Sequence, residues 1–226
     1  MVFISIFDVL GPNMVGPSSS HTAGACSIAL LARKMLGEPA RAVDFTLYGS
    51  FAKTYKGHGT DRALVAGILG MSPDDERLRD ALTIAADEGV TITFTPTEFA
   101  DSHPNTAEIH LTAADDSSAS LRGASVGGGR IEIVRVNDMP VSLTGEYFTL
   151  IVIHKDAPGA IAEVTRILTH YSGNICHFDL SRKSRGGEAI MTLSMDALEH
   201  ADIPALCAEI EAHDIIYKCI AVMPIA

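Results

Sequence analysis

Five hydrogen-bonding side chains follow one another near the N-terminus of this 226-residue chain, immediately before an apolar helical pattern. They are Ser18, Ser19, Ser20, His21 and Thr22. A helix start presents N–H groups without intrahelical partners, and anions such as carboxylates and phosphates bind there. One serine is enough for a cap, so the run suggests an anion site in which His21 supplies a proton or a hydrogen bond. The alternative is a helix N-cap that is merely rich in polar residues.

A second candidate segment, YGSFAKTYKGHGTDRAL, places Lys56, His58, Thr60 and Asp61 between a predicted strand and a predicted helix. Ligands of α/β sheets bind at such junctions, and the glycines on both sides of His58 would let a ligand approach the backbone. We predict that Thr60 or Asp61 caps the helix that follows. The alternative is a solvent-exposed histidine in a glycine-rich loop.

Two further segments are weaker candidates. The segment HPNT carries His103 and Asn105, although an asparagine-containing turn after a proline would also explain it. The segment SVGGGRI, residues 125–131, has three glycines that could approach a ligand, and a bulged hairpin turn explains them equally well. It is not a dinucleotide fingerprint, because a second G-x-G element and a following helix are missing.

The composition excludes several classes of function. The net charge of −11 opposes binding to nucleic acid or to an anionic membrane surface. The first ten residues, MVFISIFDVL, are apolar but too short to span a bilayer, and no later apolar run approaches the roughly 18 residues that spanning requires. We therefore expect a cytoplasmic protein that binds neither nucleic acid nor membranes.

The four cysteines are Cys26, Cys176, Cys207 and Cys219, and none are at C-x2-C spacing. A zinc or iron–sulfur site made by this chain alone would need cysteines converging from distant positions, or other ligand types. We expect four reduced thiols, mostly buried, and no metal site.

Residues 1–144 predict a mixed α/β domain. Helices are expected over 18–38, 59–70 and 75–89, and a strand over 41–51. Four β-like runs follow, VTITFTP, TAEIHLTAA, ASLRGASVG and GRIEIVRVN, separated by turn residues. We predict an α+β chain whose first domain is a sheet with three helices on one side.

Residues 145–226 predict a βαββαβ, ferredoxin-like domain. The first strand has Phe148, Leu150 and Val152 on one face; Asp156 could cap the turn that follows, and Pro158 lies near the first helical position. The two helices carry apolar residues at helical spacing: Ile161, Val164, Leu168 and Tyr171 in the first, and Ile203, Leu206 and Ile210 in the second.

This element order, with DAPGAIAEV in the first strand-to-helix turn, resembles the ACT domains. The resemblance implies a small effector, usually an amino acid, bound near Asp156, Pro158, Gly159 and Asn174; L-serine is the expected effector. A module used only for dimerisation is an equally open alternative, because the fold itself implies no function.

Taken together, FDVLGPNMVGPSSSHTAG, YGSFAKTYKGHGTDRAL, HPNT, SVGGGRI and the ACT-like order closely resemble the β chains of bacterial iron–sulfur L-serine dehydratases. The first domain is similar to the allosteric-substrate-binding domain, which some D-3-phosphoglycerate dehydrogenases also contain. The resemblance implies a lyase (L-serine ammonia-lyase) subunit that helps convert L-serine to pyruvate and ammonia, in amino-acid degradation and gluconeogenesis. A 4Fe-4S cluster is expected on a partner α chain, with no ligands from this chain.

The same resemblance implies roles for the candidate residues. Residues 18–22 would hold the substrate carboxylate, and His58 would act as the base or as a hydrogen-bond partner of the substrate. The other residues implied at the substrate site are Lys56, Thr60, Asp61, His103 and Asn105. Dimerisation is expected through the ACT or the N-terminal domain, within a hetero-oligomer.

Two alternatives stay open from the residues alone. The chain could be a stand-alone amino-acid or anion sensor that regulates another enzyme through its two binding-type domains. It could also be a detached regulatory piece of a hydroxyacid dehydrogenase, although no Rossmann fingerprint supports that. The sequence does not decide whether threonine is a second substrate.

Overall fold

The computed structural model describes residues 13–98, 103–196, 198 and 201–224. The apolar segment MVFISIFDVL, residues 1–10, lies outside the described residues. The chain divides into two compact units, one up to Asp138 and one from Met139. The boundary expected from the sequence, between residues 144 and 145, falls a few residues later than this division.

The first unit is built on a mixed sheet. Its strands are β1 (Ala40–Tyr48), β2 (Thr91–Thr97), β3 (Thr106–Ala113), β4 (Ser118–Gly127) and β5 (Arg130–Val136). They follow the order β2-β1-β3-β4-β5. Only the β1–β2 pair is parallel, and such a pair needs a long crossover, which here contains most of the helices. The four predicted β-like runs are all confirmed as strands.

The helices of the first unit depart from the sequence prediction in three places. The helix predicted over 18–38 is a π-helical turn, Ser19–Gly24, which leads into α1 (Ala25–Leu36). The predicted strand 41–51 ends at Tyr48, and α2 (Gly49–Thr54) begins there. The helix predicted over 75–89 is a 3₁₀ turn, Glu76–Asp80, followed by α4 (Ala81–Asp87).

Helix α3 (Thr60–Ile68) also begins differently from the prediction that Thr60 or Asp61 caps it. Its N-cap is Gly59, in the left-handed region with φ of 73°, and no side chain caps the helix. Thr60 is the first helical residue, and the Asp61 carboxylate accepts a hydrogen bond from the Arg62 N–H at 2.8 Å. The glycine conformation, which a side chain would disfavour, replaces the predicted cap.

Helices α1 and α3 pack tightly because Gly67 has no side chain. A Cβ at Gly67 would overlap the Cys26 carbonyl and lie 2.7 Å from the Cβ of Ala29. The predicted apolar positions of α1, Ile28 and Met35 among them, are buried as expected. This contact fixes the spacing of the two helices whose N-terminal ends carry His21 and His58.

The second unit has the predicted βαββαβ order, and the α+β fold is confirmed. A short strand β6 (Met139–Leu143) precedes the six elements, which are β7 (Phe148–Lys155), α5 (Ala160–His170), β8 (Ile175–Arg182), β9 (Glu188–Met195), α6 (Ile203–Glu211) and β10 (Ile216–Val222). The four strands of this order pair antiparallel as β10-β7-β9-β8.

The core of the second unit lies between one face of this sheet and the two helices. Leu150 and Val152 of β7 contribute to it, as predicted. On α5, Val164 and Leu168 are buried, but Ile161 is 45% exposed, so its assignment to the apolar face was wrong. Ile167 is buried although it was not predicted to be. The buried face of α5 passes through Ala160, Val164, Ile167 and Leu168, and Ile161 lies beside that face.

Candidate functional site

The serine run folds as a capped π-helical turn. Ser18 is extended, and its Oγ accepts a hydrogen bond from the His21 N–H at 3.3 Å. The Thr22 N–H donates to the Ser18 carbonyl at 2.8 Å. π-Helical turns are rare and are found often at functional sites. Ser19 and Ser20 are half-buried within the turn, so one serine caps it and two hydroxyls are additional, as the sequence suggested.

His21 is the centre of the site. Its Nε2 lies 3.1 Å from the Ser50 Oγ, and its Nδ1 lies 3.4 Å from the Ser18 Oγ. The imidazole edge packs on Phe51, with 5.3 Å between ring centroids. Partial burial, and secondarily the nearby charge of His58, lowers the pKa of His21. His21 is therefore neutral at neutral pH, with its ring orientation fixed by two serines.

His58 lies beside His21, with 4.9 Å between the ring centroids. The loop is closed by backbone bonds: the His58 N–H donates to the Thr54 carbonyl, and the Thr60 N–H donates to the Tyr55 carbonyl. Unlike His21, His58 is exposed. The first two candidate segments thus bring into contact one half-buried and one exposed histidine that lie more than 30 positions apart in sequence.

The neighbours of His58 differ in environment. Lys56 is exposed, with its Nζ 5.7 Å from the Tyr55 ring centroid. Thr60 is fully buried, and its hydroxyl has no hydrogen-bond partner among the described residues. Asp61 is half-buried, and burial raises the pKa of its carboxyl group. Of the four residues selected from this segment, Lys56 and His58 are exposed, whereas Thr60 is buried and Asp61 is half-buried.

The HPNT segment supports the site through the backbone. The Pro104 carbonyl accepts hydrogen bonds from the Ser50 N–H at 2.6 Å and the Phe51 N–H at 3.2 Å. Gly49 makes room for this contact, since a Cβ there would lie 2.7 Å from the Pro104 carbonyl oxygen. The first turn of α2, and with it the Ser50 hydroxyl on His21, is therefore held by this segment.

The two named residues of this segment are turned to different partners. His103 is exposed, and its Nδ1 accepts a hydrogen bond from the Asn105 N–H at 3.2 Å. The Asn105 side chain donates to the Ser125 carbonyl at 3.4 Å. Gly127 begins the β4–β5 turn with φ of 108°, so SVGGGRI forms the hairpin turn that was one of its two interpretations.

A cavity of about 210 Å³ adjoins the histidine pair. Thr22 and His58 line it together with two arginines, Arg62 of α3 and Arg79 of the 3₁₀ turn. Thr22 is 1% exposed, and its Oγ1 has no hydrogen-bond partner among the described residues. The cavity therefore combines two cations, a histidine and an unsatisfied hydroxyl.

Sequence reasoning did not select Ser50, Arg62 or Arg79. Ser50 and Arg62 lie within the candidate segment YGSFAKTYKGHGTDRAL, so the sequence marks their neighbourhood but does not predict a role for either residue. Arg79 lies in a charged run typical of a solvated helix face, and only the tertiary fold brings it to the cavity.

The predicted effector residues occupy two places. Asp156 accepts hydrogen bonds from the Gly186 N–H at 2.9 Å and from Arg182 at 3.1 Å, so it does not cap the helix. The Gly186 bond is the main reason that the Asp156 pKa is lowered. Gly159 is the N-cap of α5, with φ of 96°, and Pro158 precedes it. Asn174 donates to Asp196 at 3.0 Å, at the opposite end of α5 from Asp156.

The four cysteines do not form a common cluster. Cys26 is in the first unit, where its thiol donates to the Met71 carbonyl, and the other three are in the second. Cys26 and Cys219 are buried as predicted, whereas Cys207 is half-buried and Cys176 is exposed. Over residues 13–98, 103–196, 198 and 201–224, no three His, Cys, Asp or Glu side chains are arranged to hold a metal ion. The thiols present do not fit an iron–sulfur ligand set.

In the described part of the chain, no helix has the length and apolar character needed to cross a bilayer. The fold and the site together define a two-unit α+β protein, with a site lined by histidine and serine in the first unit and a βαββαβ module in the second.

Comparison with known proteins identifies the family. The family model "Serine dehydratase beta chain" matches residues 5–84. The chain is 43% identical to the probable L-serine dehydratase beta chain of Bacillus subtilis, covering 87% of this chain and 89% of that one. It is 40% identical to the L-serine dehydratase beta chain of Peptoniphilus asaccharolyticus, with the same two coverages. The chain belongs to the serine dehydratase beta-chain family.

A longer relative shares only a segment. L-serine dehydratase 2 of Escherichia coli is 42% identical over 77 residues, which are 31% of this chain and 16% of that protein. Most of that protein therefore lies outside the matched segment.

Proposed function

We propose that this chain is the β subunit of an L-serine dehydratase and forms part of the active site that converts L-serine to pyruvate and ammonia. The observation that carries the proposal is the contact between half-buried His21 and exposed His58, fixed by Ser18 and Ser50. The named beta chains with which it shares about two fifths of its residues support the same assignment. The setting is cytoplasmic amino-acid degradation, which also supplies pyruvate for gluconeogenesis.

His58 is the proposed base, because it is exposed and lies beside a histidine that resists protonation. Burial and the nearby His58 lower the pKa of His21, so the ring that lies 4.9 Å from the His58 ring, centroid to centroid, stays uncharged at neutral pH. His58 would take the α-proton of L-serine, and His21 would keep its ring in place. The hydroxyls of residues 18–22 would hold the substrate carboxylate, with Lys56 and His103 at the exposed rim.

The remaining residues of the predicted site have supporting roles in this proposal. Thr60 and Asp61 orient the His58 loop from the first turn of α3, and Asn105 ties the HPNT segment to β4. These contacts act on the position of His58 and Ser50 rather than on the substrate.

The proposed partner is an α chain that carries a 4Fe-4S cluster. The cysteines of this chain do not fit the ligand set, so the ligands are assigned to the partner, and no step of this chain's chemistry is derived through the cluster. The exposed side chains of His58 and His103 suit a face that a second polypeptide completes. The much longer Escherichia coli relative also supports a need for additional polypeptide.

The test is anaerobic co-expression with the cysteine-rich α chain, followed by an assay of pyruvate formation from L-serine. We expect activity only with both chains, and a loss of about a hundredfold or more in His58→Ala, because general acid–base groups contribute about 10²–10⁴-fold. His213→Ala is the matched control, since His213 is a partly exposed histidine of the second unit, where its ring lies 3.5 Å from Glu163.

Activity of the α chain alone, unchanged by adding this chain, would refute the subunit proposal. It would favour the alternative of a stand-alone sensor of amino acids or anions. In that case calorimetric titration of L-serine into this chain, with Asp156→Ala as the comparison, would test the turn before α5 as the effector site.

A further inference from the structure

The cavity beside the histidine pair contains two arginine side chains that lack partners. Arg62 and Arg79 line it, and neither guanidinium forms a hydrogen bond or ion pair with a residue that the structure describes. The nearest acid to Arg62 in sequence, Asp61, is bonded to the Arg62 backbone N–H rather than to its guanidinium. The chain as a whole carries a net charge of −11, whereas this cavity is lined by two cations.

A buried hydroxyl without a hydrogen-bond partner, that of Thr22, belongs to a residue that lines the same cavity. Thr22 lines the cavity, is 1% exposed, and leaves its Oγ1 without a partner among the described residues. A buried hydroxyl without a hydrogen bond costs free energy, and an acceptor inside the cavity would remove that cost. The Gly16 backbone lies so close to Thr22 that a Cβ at Gly16 would overlap the threonine side chain. The Thr22 side chain is therefore packed directly against the Gly16 backbone.

We infer that this cavity is an oxyanion subsite, in which Arg62 and Arg79 bind a carboxylate or phosphate group and Thr22 donates a hydrogen bond to it. Guanidinium groups pair with both kinds of oxyanion in two-pronged geometry. A volume of about 210 Å³ admits a small molecule of a few carbons that carries such a group. The inference rests on the proposed function. His58 both lines the cavity and belongs to the proposed catalytic pair, so the rest of the ligand would extend toward His58.

The experiment is an NMR titration of the full chain that follows the side-chain Nε–Hε signals of its arginines. Three probes are added separately: L-serine, serinamide and inorganic phosphate. L-Serine and serinamide share the amine and hydroxyl and differ in the carboxylate, so their comparison isolates the anion. We expect the Arg62 and Arg79 signals to shift with L-serine or phosphate and not with serinamide.

The variants are Arg62→Gln and Arg79→Gln, with Arg77→Gln as the control. Arg77 lies on the same 3₁₀ turn as Arg79 but points to Asp75, with 2.6 Å between its Nη2 and the carboxylate. All three arginines are exposed, so the changes leave the core intact. We expect each cavity variant to weaken anion binding about tenfold or more, as expected for one charged hydrogen-bonded partner. Arg77→Gln should bind as the unmodified chain does.

The outcomes separate the two anion sources and the two proposals. Shifts with phosphate alone assign the subsite to a phosphate, and shifts with L-serine assign it to the amino-acid carboxylate. No shift of the Arg62 and Arg79 signals, or equal shifts of all arginines including Arg77, would overturn the subsite. Pyruvate formation that depends on His58 in the two-chain assay would still uphold the proposed function in that case. Conversely, specific shifts without pyruvate formation would uphold the subsite alone.

Discussion

The variant Gly67→Ala tests how the fold positions the histidine pair. A Cβ at this position would overlap the Cys26 carbonyl and lie 2.7 Å from the Ala29 Cβ and 2.9 Å from the Leu30 nitrogen. Carbon atoms pack at about 3.5–4.0 Å, so α1 and α3 would have to separate by roughly 1 Å. Two of the three nearest atoms belong to the backbone of α1, which cannot rotate away as a side chain can.

The cost can be estimated from two opposing effects. Overpacking a close contact costs about 1–3 kcal/mol, and the backbone contacts place this site near the upper end. Alanine regains about 1 kcal/mol of helix propensity relative to glycine. We therefore expect Gly67→Ala to lower the free energy of unfolding by about 2 kcal/mol, which corresponds to roughly 8 °C in the melting temperature of a unit this size.

The assay is urea unfolding followed by far-UV circular dichroism, with Gly57→Ala as the control. The nearest atom to a Cβ at Gly57 is 3.7 Å away, so that substitution should change little. Because α1 follows the turn that carries His21 and α3 follows the loop that carries His58, we also expect reduced pyruvate formation by Gly67→Ala. An unchanged or higher unfolding midpoint would refute the argument that this contact fixes the helix spacing.

Two further predictions concern protonation. Burial and the charge of His58 lower the pKa of His21 from its ordinary 6.5, so the unfolded chain binds this proton more readily. The free energy of unfolding should fall as the pH drops below 6.5, and His21→Gln should lessen this dependence in urea titrations between pH 7.5 and 5.5. Burial, with smaller effects from Asp75 and Asp74, raises the pKa of Cys26 to about 12. At pH 8 iodoacetamide should therefore modify exposed Cys176 and spare Cys26 in the folded chain, as read by peptide mass spectrometry; equal modification of both would contradict the burial of Cys26.

The sequence predicts the second unit well because its patterns are local. Short apolar runs such as residues 150–153 define the strands, and the apolar residues of the helices have helical spacing between turn residues. The error at Ile161 arose because spacing alone does not say which of two neighbouring stripes faces the sheet. The missed cap of α3 has a similar cause: Gly59 adopts φ of 73°, and no side-chain pattern marks that choice.

The candidate site was predicted in its parts but not in its arrangement. The sequence selects His21 and His58, yet their contact depends on α1 and α3 packing together through Gly67. Ser50 was missed because its role requires the Pro104 carbonyl, which lies more than 50 positions later, to hold the first turn of α2. Arg79 was missed for the same reason, since a charged surface turn gives no local sign of a cavity.

The π-helical turn, Ser19–Gly24, sets the rotational phase of the residues ahead of α1. A π-helical turn holds one more residue than an α-helical turn, and each residue of a helix advances the side-chain direction by about 100°. His21 can thus face Ser50 and His58 while Thr22 is buried and α1 keeps its apolar stripe on the core. Removing one residue from this turn would leave a regular helix whose core still fits, but with the histidine rotated away from its partners. A single extra residue in this turn therefore sets the angle between the direction in which His21 points and the face of α1 that packs on the core.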